Sequence, residues 1–186
     1  MKRNRTLAGV FVFALLLPIR SSTIARSAAS LRQAAETPRL GFVHPPGEGE
    51  ALAVPNGEVV IHVDPSTGSP RFALGTQTLR PGAGIGLHVH EHEDEVLFVH
   101  RGNGVGLLGD DRTPVVPGST IFIPQGVWHG VDNPEGEVTL LWVVSPPGLE
   151  SYFREVGSPP GEAPKVLSPE QLEEIRRKHG MRGRPR

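Results

Sequence analysis

Short runs of apolar and β-branched residues recur between residues 57 and 144, and glycine, proline, asparagine or aspartate bounds most of them. Runs of about four to eight residues with such boundaries are typical of β-strands joined by tight turns. The pattern predicts seven strands: 58–63, 72–79, 86–90, 95–101, 105–108, 119–123 and 138–144. No helical periodicity interrupts them, so their apolar faces must pack against one another. We therefore predict an all-β domain, either a two-sheet sandwich or a small barrel.

Helical patterns follow these strands. Residues 149–156 carry apolar side chains at three- and four-residue spacing, which indicates one short helix. Ser168 and Gln171 form a capping sequence around Pro169, and Gly180 ends the second pattern. We expect a β-domain over residues 57–146 and a helical extension over residues 147–186.

The first 29 residues have the layout of a cleavable secretory signal. Basic side chains precede an apolar run at 7–17, and small residues follow, so we predict cleavage after Ala29. The run is shorter than the roughly 20 residues of a membrane-spanning helix, and the alternative of a buried helix lacks an amphipathic stripe. We expect export to the periplasm or the cell exterior without a stable membrane anchor. Several prolines predict a flexible segment over residues 30–56.

Composition narrows the function classes. The 186-residue chain has 19 basic and 20 acidic side chains, and without its first 29 residues its formal charge is −6. This balance excludes a strongly basic nucleic-acid-binding protein, so we expect no nucleic-acid partner. The chain has no cysteine, which excludes disulfides and thiol chemistry. Stability must therefore come from the core, with a metal as a further source.

Histidine and glutamate side chains form the candidate metal site. His88 and His90 are two residues apart in a predicted strand, so their imidazoles share one face and could hold one ion. A hairpin after His90 would bring Glu95 back toward the pair, and His129 could complete the site. Taken alone, histidines on an antiparallel strand are more often exposed to solvent. The residue pattern by itself leaves both interpretations open.

The spacing of glycines around these residues favours the metal site. Two motifs, separated by residues 103–117, resemble the two motifs of the cupin superfamily without a gap or a substitution. The first consists of Gly82, His88, His90, Glu95 and Gly102. The second consists of Gly118, Pro124, Gly126, His129 and Asn133.

The resemblance implies a jelly-roll β-barrel that binds one divalent transition metal through His88, His90, Glu95 and His129. Three imidazoles and one carboxylate suit Fe, Mn, Ni, Co, Cu or Zn. The carboxyl tail is similar to that of quercetin-dioxygenase-like single-domain cupins, although its last six residues are basic where those relatives tend to be apolar. The implied activity is a metal-dependent dioxygenase acting on a flavonol- or enol-like small molecule, with Glu95 as both ligand and catalytic base. A non-catalytic ligand-binding cupin and a metal-dependent isomerase or decarboxylase are the alternatives.

Other candidates have weaker support. We expect His92 at the surface or behind the ligands, and His100 pointing away from the metal because its parity is opposite to that of Glu95. The remaining histidines, His44, His62 and His179, are expected to be exposed. Glu93 is as acidic as Glu95, but we expect no role for it in the site. Exposed sheet edges favour a homodimer.

Overall fold

The computed structural model describes residues 41–133 and 135–184, and residues from Phe42 onward form one compact unit. Its elements in chain order are β1 (Glu50–Val54), β2 (Gly57–Val63), β3 (Ala73–Leu79), β4 (Ile85–His90), β5 (Asp94–Arg101), β6 (Gly104–Leu108), β7 (Asp111–Val115), β8 (Thr120–Ile123), β9 (His129–Asp132), β10 (Val138–Ser145), α1 (Leu149–Val156), α2 (Pro169–Lys178) and β11 (Met181–Gly183). All seven predicted strands and both predicted helices are present. The predicted signal sequence lies outside the described residues.

The strands form two antiparallel sheets. The larger sheet has the order β1-β2-β3-β10-β5-β8, and the smaller one has the order β11-β4-β9-β6-β7. Alternate side chains of the larger sheet point inward and are buried; Val59, Leu79, Val99, Leu140 and Trp142 are examples. This period-two burial is the physical basis of the strand pattern seen in the sequence.

The predicted barrel is not closed, since no strand pairing joins the two sheets among the described residues. The free edges offer few backbone donors for such a pairing. β8 has only four residues, and β7 contains Pro114, which has no N–H group to donate. The fold is thus a two-sheet jelly roll with open edges.

Four strands were missed by the sequence pattern. β7, β9 and β11 are short and carry charged, polar or glycine residues in place of an apolar alternation. β1 lies inside the segment that we predicted to be flexible, where its Leu52 and Val54 are buried against the core. All of them except β9 are edge strands, which need only one paired neighbour and tolerate such sequences.

The connection from β4 to β5 also differs from the prediction. β4 belongs to the smaller sheet and β5 to the larger one, so the expected hairpin is wrong and residues 91–93 cross between the sheets. Three polar residues can make this crossing because their side chains need not alternate between a core face and a solvent face. The crossing places Glu95 opposite the strand that carries the two histidines.

The C-terminal extension packs on the β-domain. Leu149, Phe153 and Val156 of α1 are buried in the core, as their spacing predicted. Helix α2 begins with the predicted capping box, in which Ser168 and Gln171 exchange side-chain and backbone hydrogen bonds. After Gly180 the chain returns as β11, which pairs with β4 beside the histidines. In the part of the chain that the structure describes, no helix is both long and apolar enough to cross a membrane.

Candidate metal centre

The structure brings the four predicted residues together between the sheets. His88, His90 and His129 come from the smaller sheet, and Glu95 comes from the larger one. Each offers one ligand atom, and these atoms all lie within 4.8 Å of one another. All four side chains are buried. The cluster has the composition and spacing that can hold one metal ion.

Strand pairing places the three histidines. His88 lies directly opposite His129 in the pairing of β4 with β9, and their ring centroids are 4.1 Å apart. The turn before His129 is attached to the same strand, because the N–H of Gly126 donates to the carbonyl of His90 over 2.8 Å. Gly126 has a φ of 79°, which glycine adopts without strain. The second motif thus needs glycine there to position His129.

Backbone hydrogen bonds orient two of the rings. Nδ1 of His88 lies 2.9 Å from the carbonyl oxygen of Gly86, and Nδ1 of His129 lies 2.9 Å from that of Val127. A carbonyl only accepts, so each Nδ1 carries the hydrogen and donates it. In the neutral form of each ring, Nε2 then carries the lone pair and directs it toward the cluster. This is the usual arrangement for a metal-binding histidine.

Glu95 faces the histidines from β5, on the same face as the buried Leu97 and Val99, as its parity predicted. Its Oε2 lies 2.9 Å from Nε2 of His129 and 3.4 Å from Nε2 of His90. None of these three buried atoms has a hydrogen-bond partner outside the cluster. Buried polar atoms without partners are costly, and a metal ion would satisfy all three at once. The residues therefore fit the transition metal that the sequence implied.

Burial and neighbouring charges set the protonation of the cluster. Burial lowers the pKa of His88, and the imidazoles of His129 and His90 add to that, bringing it to about 3. Burial also lowers the pKa of His90, but Glu93 and Glu95 outweigh it and raise the pKa to about 9. Burial would raise the pKa of Glu95, yet its contacts with His129 and His90 hold that pKa below the usual range. In the metal-free site His88 is thus neutral, His90 is charged and Glu95 is ionised.

The remaining histidines lie apart from this cluster. His92 and His100 are exposed, as expected. The expectation of exposure is wrong for His44, His62 and His179, which are half-buried. Their neighbours explain the difference: the His44 ring lies 4.5 Å from that of Phe42, and Nε2 of His179 lies 2.7 Å from a carboxylate oxygen of Glu155.

Glu93 is one residue near the cluster that the sequence did not predict. It is only 5% exposed, and its Oε2 lies 3.3 Å from Nδ1 of His90. It belongs to the crossing between the sheets, where strand parity gives no information about direction. Its three-residue spacing from His90 was the available clue.

A cavity of about 1190 Å³ opens onto the cluster. His88, Glu95 and His129 line it, together with apolar side chains of β5 and α1 such as Leu97, Leu149 and Phe153. One polar side chain on its wall is Gln77, which points inward from β3 and was also missed. Nε2 of Gln77 donates to Oδ1 of Asn56 over 3.2 Å, which fixes the orientation of its amide group. The candidate metal centre is thus accessible to a small molecule through a chamber lined by these apolar side chains and by charged ones such as Arg80, Lys165 and Arg176.

Comparison with known sequences agrees with this site. A family model described as a cupin domain matches residues 75–144, which include all four cluster residues. An uncharacterized protein of Streptomyces coelicolor is 36% identical over 55 residues, which are 30% of this chain and 52% of that protein. The chain thus matches about half of this relative's length.

Three solved structures share the fold. KdgF from a Halomonas species has a TM-score of 0.53 at 21% identity and covers 58% of this chain and 96% of its own. An RmlC-like cupin from Shewanella frigidimarina has a TM-score of 0.54 at 16% identity over 62% and 99% of the two chains. A predicted oxalate decarboxylase from Thermotoga maritima has a TM-score of 0.50 at 24% identity over 56% and 98%. At these identities the likeness shows the fold alone.

Proposed function

The chain belongs to the cupin superfamily, and on that premise we propose that it is a metal-dependent enzyme, a dioxygenase of flavonol- or enol-like small molecules. The observation that carries the proposal is the cavity of about 1190 Å³ that reaches His88, Glu95 and His129. A purely structural metal site is closed, whereas a catalytic one keeps access for a substrate. A chamber of this size is sufficient for a molecule with two or three rings.

His88, His90 and His129 would hold the ion through Nε2, and Glu95 would hold it through its carboxylate. A bound transition metal supplies Lewis acidity toward a substrate oxygen and, if it is redox-active, the activation of O₂. The ionised Oε2 of Glu95 would accept the proton of a substrate hydroxyl, although the contacts with His129 and His90 that lower its pKa also make it a weaker base than a free carboxylate. The apolar wall formed by Leu97, Leu149 and Phe153 would pack against the rings of the substrate and exclude water. Gln77 would give the substrate one polar contact on that wall.

An oxygen-uptake screen tests this proposal. Metal-free protein would be loaded separately with Fe(II), Mn(II), Co(II), Ni(II), Cu(II) and Zn(II), and mixed with a flavonol, a catechol or a 1,3-diketone. We expect oxygen consumption with at least one redox-active ion and none with Zn(II). Product formation without oxygen consumption would favour an isomerase or decarboxylase. A ligand-dependent rise in melting temperature without turnover would favour the non-catalytic binding cupin.

We also propose that the protein is exported and that residues 1–29 are removed, on the basis of the sequence layout. Intact-mass measurement of the protein from its native source tests this. Mature protein beginning near residue 30 is the expected result, and Met1 retained on membrane-bound protein would contradict it.

A homodimer is a further part of the proposal. Phe122 of the edge strand β8 is 57% exposed, and Phe98 on the neighbouring strand β5 is also exposed. Exposed aromatic side chains beside a free sheet edge favour pairing between two copies. Light scattering during size-exclusion chromatography should give twice the chain mass, and a monomer would contradict the proposal.

A further inference from the structure

Glu93 is a buried carboxylate that the proposed chemistry does not use. It is 5% exposed, and Oε2 has no hydrogen-bond partner. Across the described residues its one ion-pair contact is with His90, whose Nδ1 lies 3.3 Å away. A buried carboxylate without hydrogen bonds is costly, so its position requires a physical reason.

His90 presents a different nitrogen to each of two carboxylates. Its Nε2 lies toward Glu95 in the metal cluster, and its Nδ1 lies toward Glu93 on the opposite side of the ring. His88 and His129 are oriented by backbone carbonyls at Nδ1, but Nδ1 of His90 has no such bond. Among the three histidines, His90 therefore depends on a side chain for its orientation.

From this arrangement we infer that Glu93 is a positioning residue, which accepts a hydrogen bond from Nδ1–H of His90 when Nε2 binds the metal. The inference rests on the metal-binding part of the proposed function. Metal-binding histidines usually donate their second N–H to a carboxylate or a carbonyl, which fixes the ring and makes it a stronger ligand. A small rotation of either side chain would convert the 3.3 Å contact into that hydrogen bond.

Gly148 provides the space for Glu93. A Cβ atom added at Gly148 would overlap Oε1 of Glu93. Helix α1 has no side-chain cap at its first turn, and the N–H of Gly148 donates to Oε2 of Glu150 over 2.8 Å, so Glu93 does not cap the helix. The close approach of Glu93 thus leaves no room for a side chain at Gly148. Glu93 thus lies between a metal ligand and the helix whose side chains line the cavity.

Two single substitutions test the inference from separate parts of the chain. Glu93→Ala removes the acceptor, and Gly148→Ala displaces it without altering any polar group. The parent and both variants would be loaded with Cu(II), and the dissociation constant measured by competition with a chelator. We expect both variants to bind roughly 10–100-fold more weakly than the parent. The matched controls are Glu58→Ala, at an exposed side chain, and Gly41→Ala, where an added methyl group meets no atom within 4 Å. Both controls should bind the metal like the parent.

Pulsed EPR of the copper-loaded proteins separates positioning from a general structural role. It measures the quadrupole coupling of the remote nitrogen of each bound imidazole, which is Nδ1 here. We expect a change for one of the three imidazoles in both variants, and Glu93→Gln, which retains an acceptor oxygen, should restore much of the affinity. Parent-like affinity and coupling in Glu93→Ala and Gly148→Ala would overturn the inference. A parent protein that binds no metal would instead overturn the proposed function.

Discussion

His88 and His129 face each other across the pairing of β4 with β9, and their ring centroids are 4.1 Å apart although 41 positions separate them in sequence. The two cupin motifs therefore meet through one antiparallel pairing. Glu95 approaches the pair from the opposite sheet. Correct assembly of the site thus depends on the register of β4 and β9 and on the packing of the two sheets.

Replacing His88 and His129 together by alanine should abolish stoichiometric metal binding. One imidazole and one carboxylate would remain, which is too few ligands for tight binding of a transition metal. Elemental analysis after dialysis should give about one ion per parent chain and close to none in the double variant.

His92→Ala and His100→Ala are the matched controls, because both side chains are exposed and lie outside the cluster. Their metal content should equal that of the parent. Loss of metal in either control would show that the ligand set is wrong.

Metal affinity should increase with pH between about 6.5 and 9. His90 has a pKa of about 9 in the metal-free site, so an incoming ion must displace its proton below that pH. The apparent dissociation constant should fall by up to about tenfold for each pH unit in this range. Titrations against a chromophoric chelator at several pH values measure the slope. An affinity independent of pH would contradict protonation of His90.

The same protonation has the opposite effect on the metal-free protein. The pKa of His90 is raised above its usual value, so its contacts with Glu93 and Glu95 stabilise the fold fully below about pH 6.5. That contribution should be lost as the pH rises through about 9. Urea unfolding of the metal-free protein should therefore show a lower midpoint at pH 9.5 than at pH 6.5, and the double variant Glu93→Gln/Glu95→Gln should lose most of that difference.

Asp64→Asn should destabilise the protein by about 1–3 kcal/mol. Asp64 is buried, accepts from the backbone of Thr67, and lies 2.6 Å from Nη2 of Arg154 on helix α1. Asparagine retains the bond to Thr67, but its NH2 group replaces Oδ2, so the charge and the hydrogen bond from Arg154 are both lost. Denaturant unfolding at pH 7 measures the cost, and Glu50→Gln, at the exposed partner of Arg154, should cost less than about 1 kcal/mol.

The pH dependence of this pair has a defined sign. Burial raises the pKa of Asp64, but hydrogen bonds from Ser66, Arg154 and Thr67 together with the charge of Arg154 lower it to about 2. The stabilisation is therefore present above about pH 3.8 and is lost as the pH falls through about 2. The difference in stability between the parent and Asp64→Asn should shrink over that range, and a constant difference would contradict the role of the charge.

Strand periodicity and motif spacing predicted most of this architecture. The alternation of Glu95, Leu97 and Val99 placed their side chains on the inner face, and the spacing of Leu149, Phe153 and Val156 identified the buried face of α1. These predictions succeeded because burial repeats with the geometry of the element itself. Features that depend on contacts between distant segments were harder to predict.

Two parts of the molecule show this limit. Residues 91–93 cross between sheets, and neither the crossing nor the inward direction of Glu93 follows from a local period. The edge strand β7 carries Asp111, Arg112 and Pro114, residue types that are more typical of turns. They nevertheless pair with β6 through their backbone groups. In both cases the structure depends on a distant partner segment, which the local sequence does not identify.

Glu95→Gln should strongly reduce turnover in the proposed dioxygenase reaction while it retains much of the metal affinity. Glutamine has nearly the same shape and keeps one carbonyl oxygen as a ligand, but it cannot accept the proton of a substrate hydroxyl at neutral pH. Loss of a general base costs about 10²–10⁴-fold in rate. Oxygen uptake with saturating metal and substrate measures this effect.

Glu93→Gln is unsuitable as the control because Glu93 is buried against His90. The exposed Glu58→Gln is therefore the control, and it should retain parent turnover. Full turnover in Glu95→Gln would rule out the base role and leave ligation by the three histidines intact.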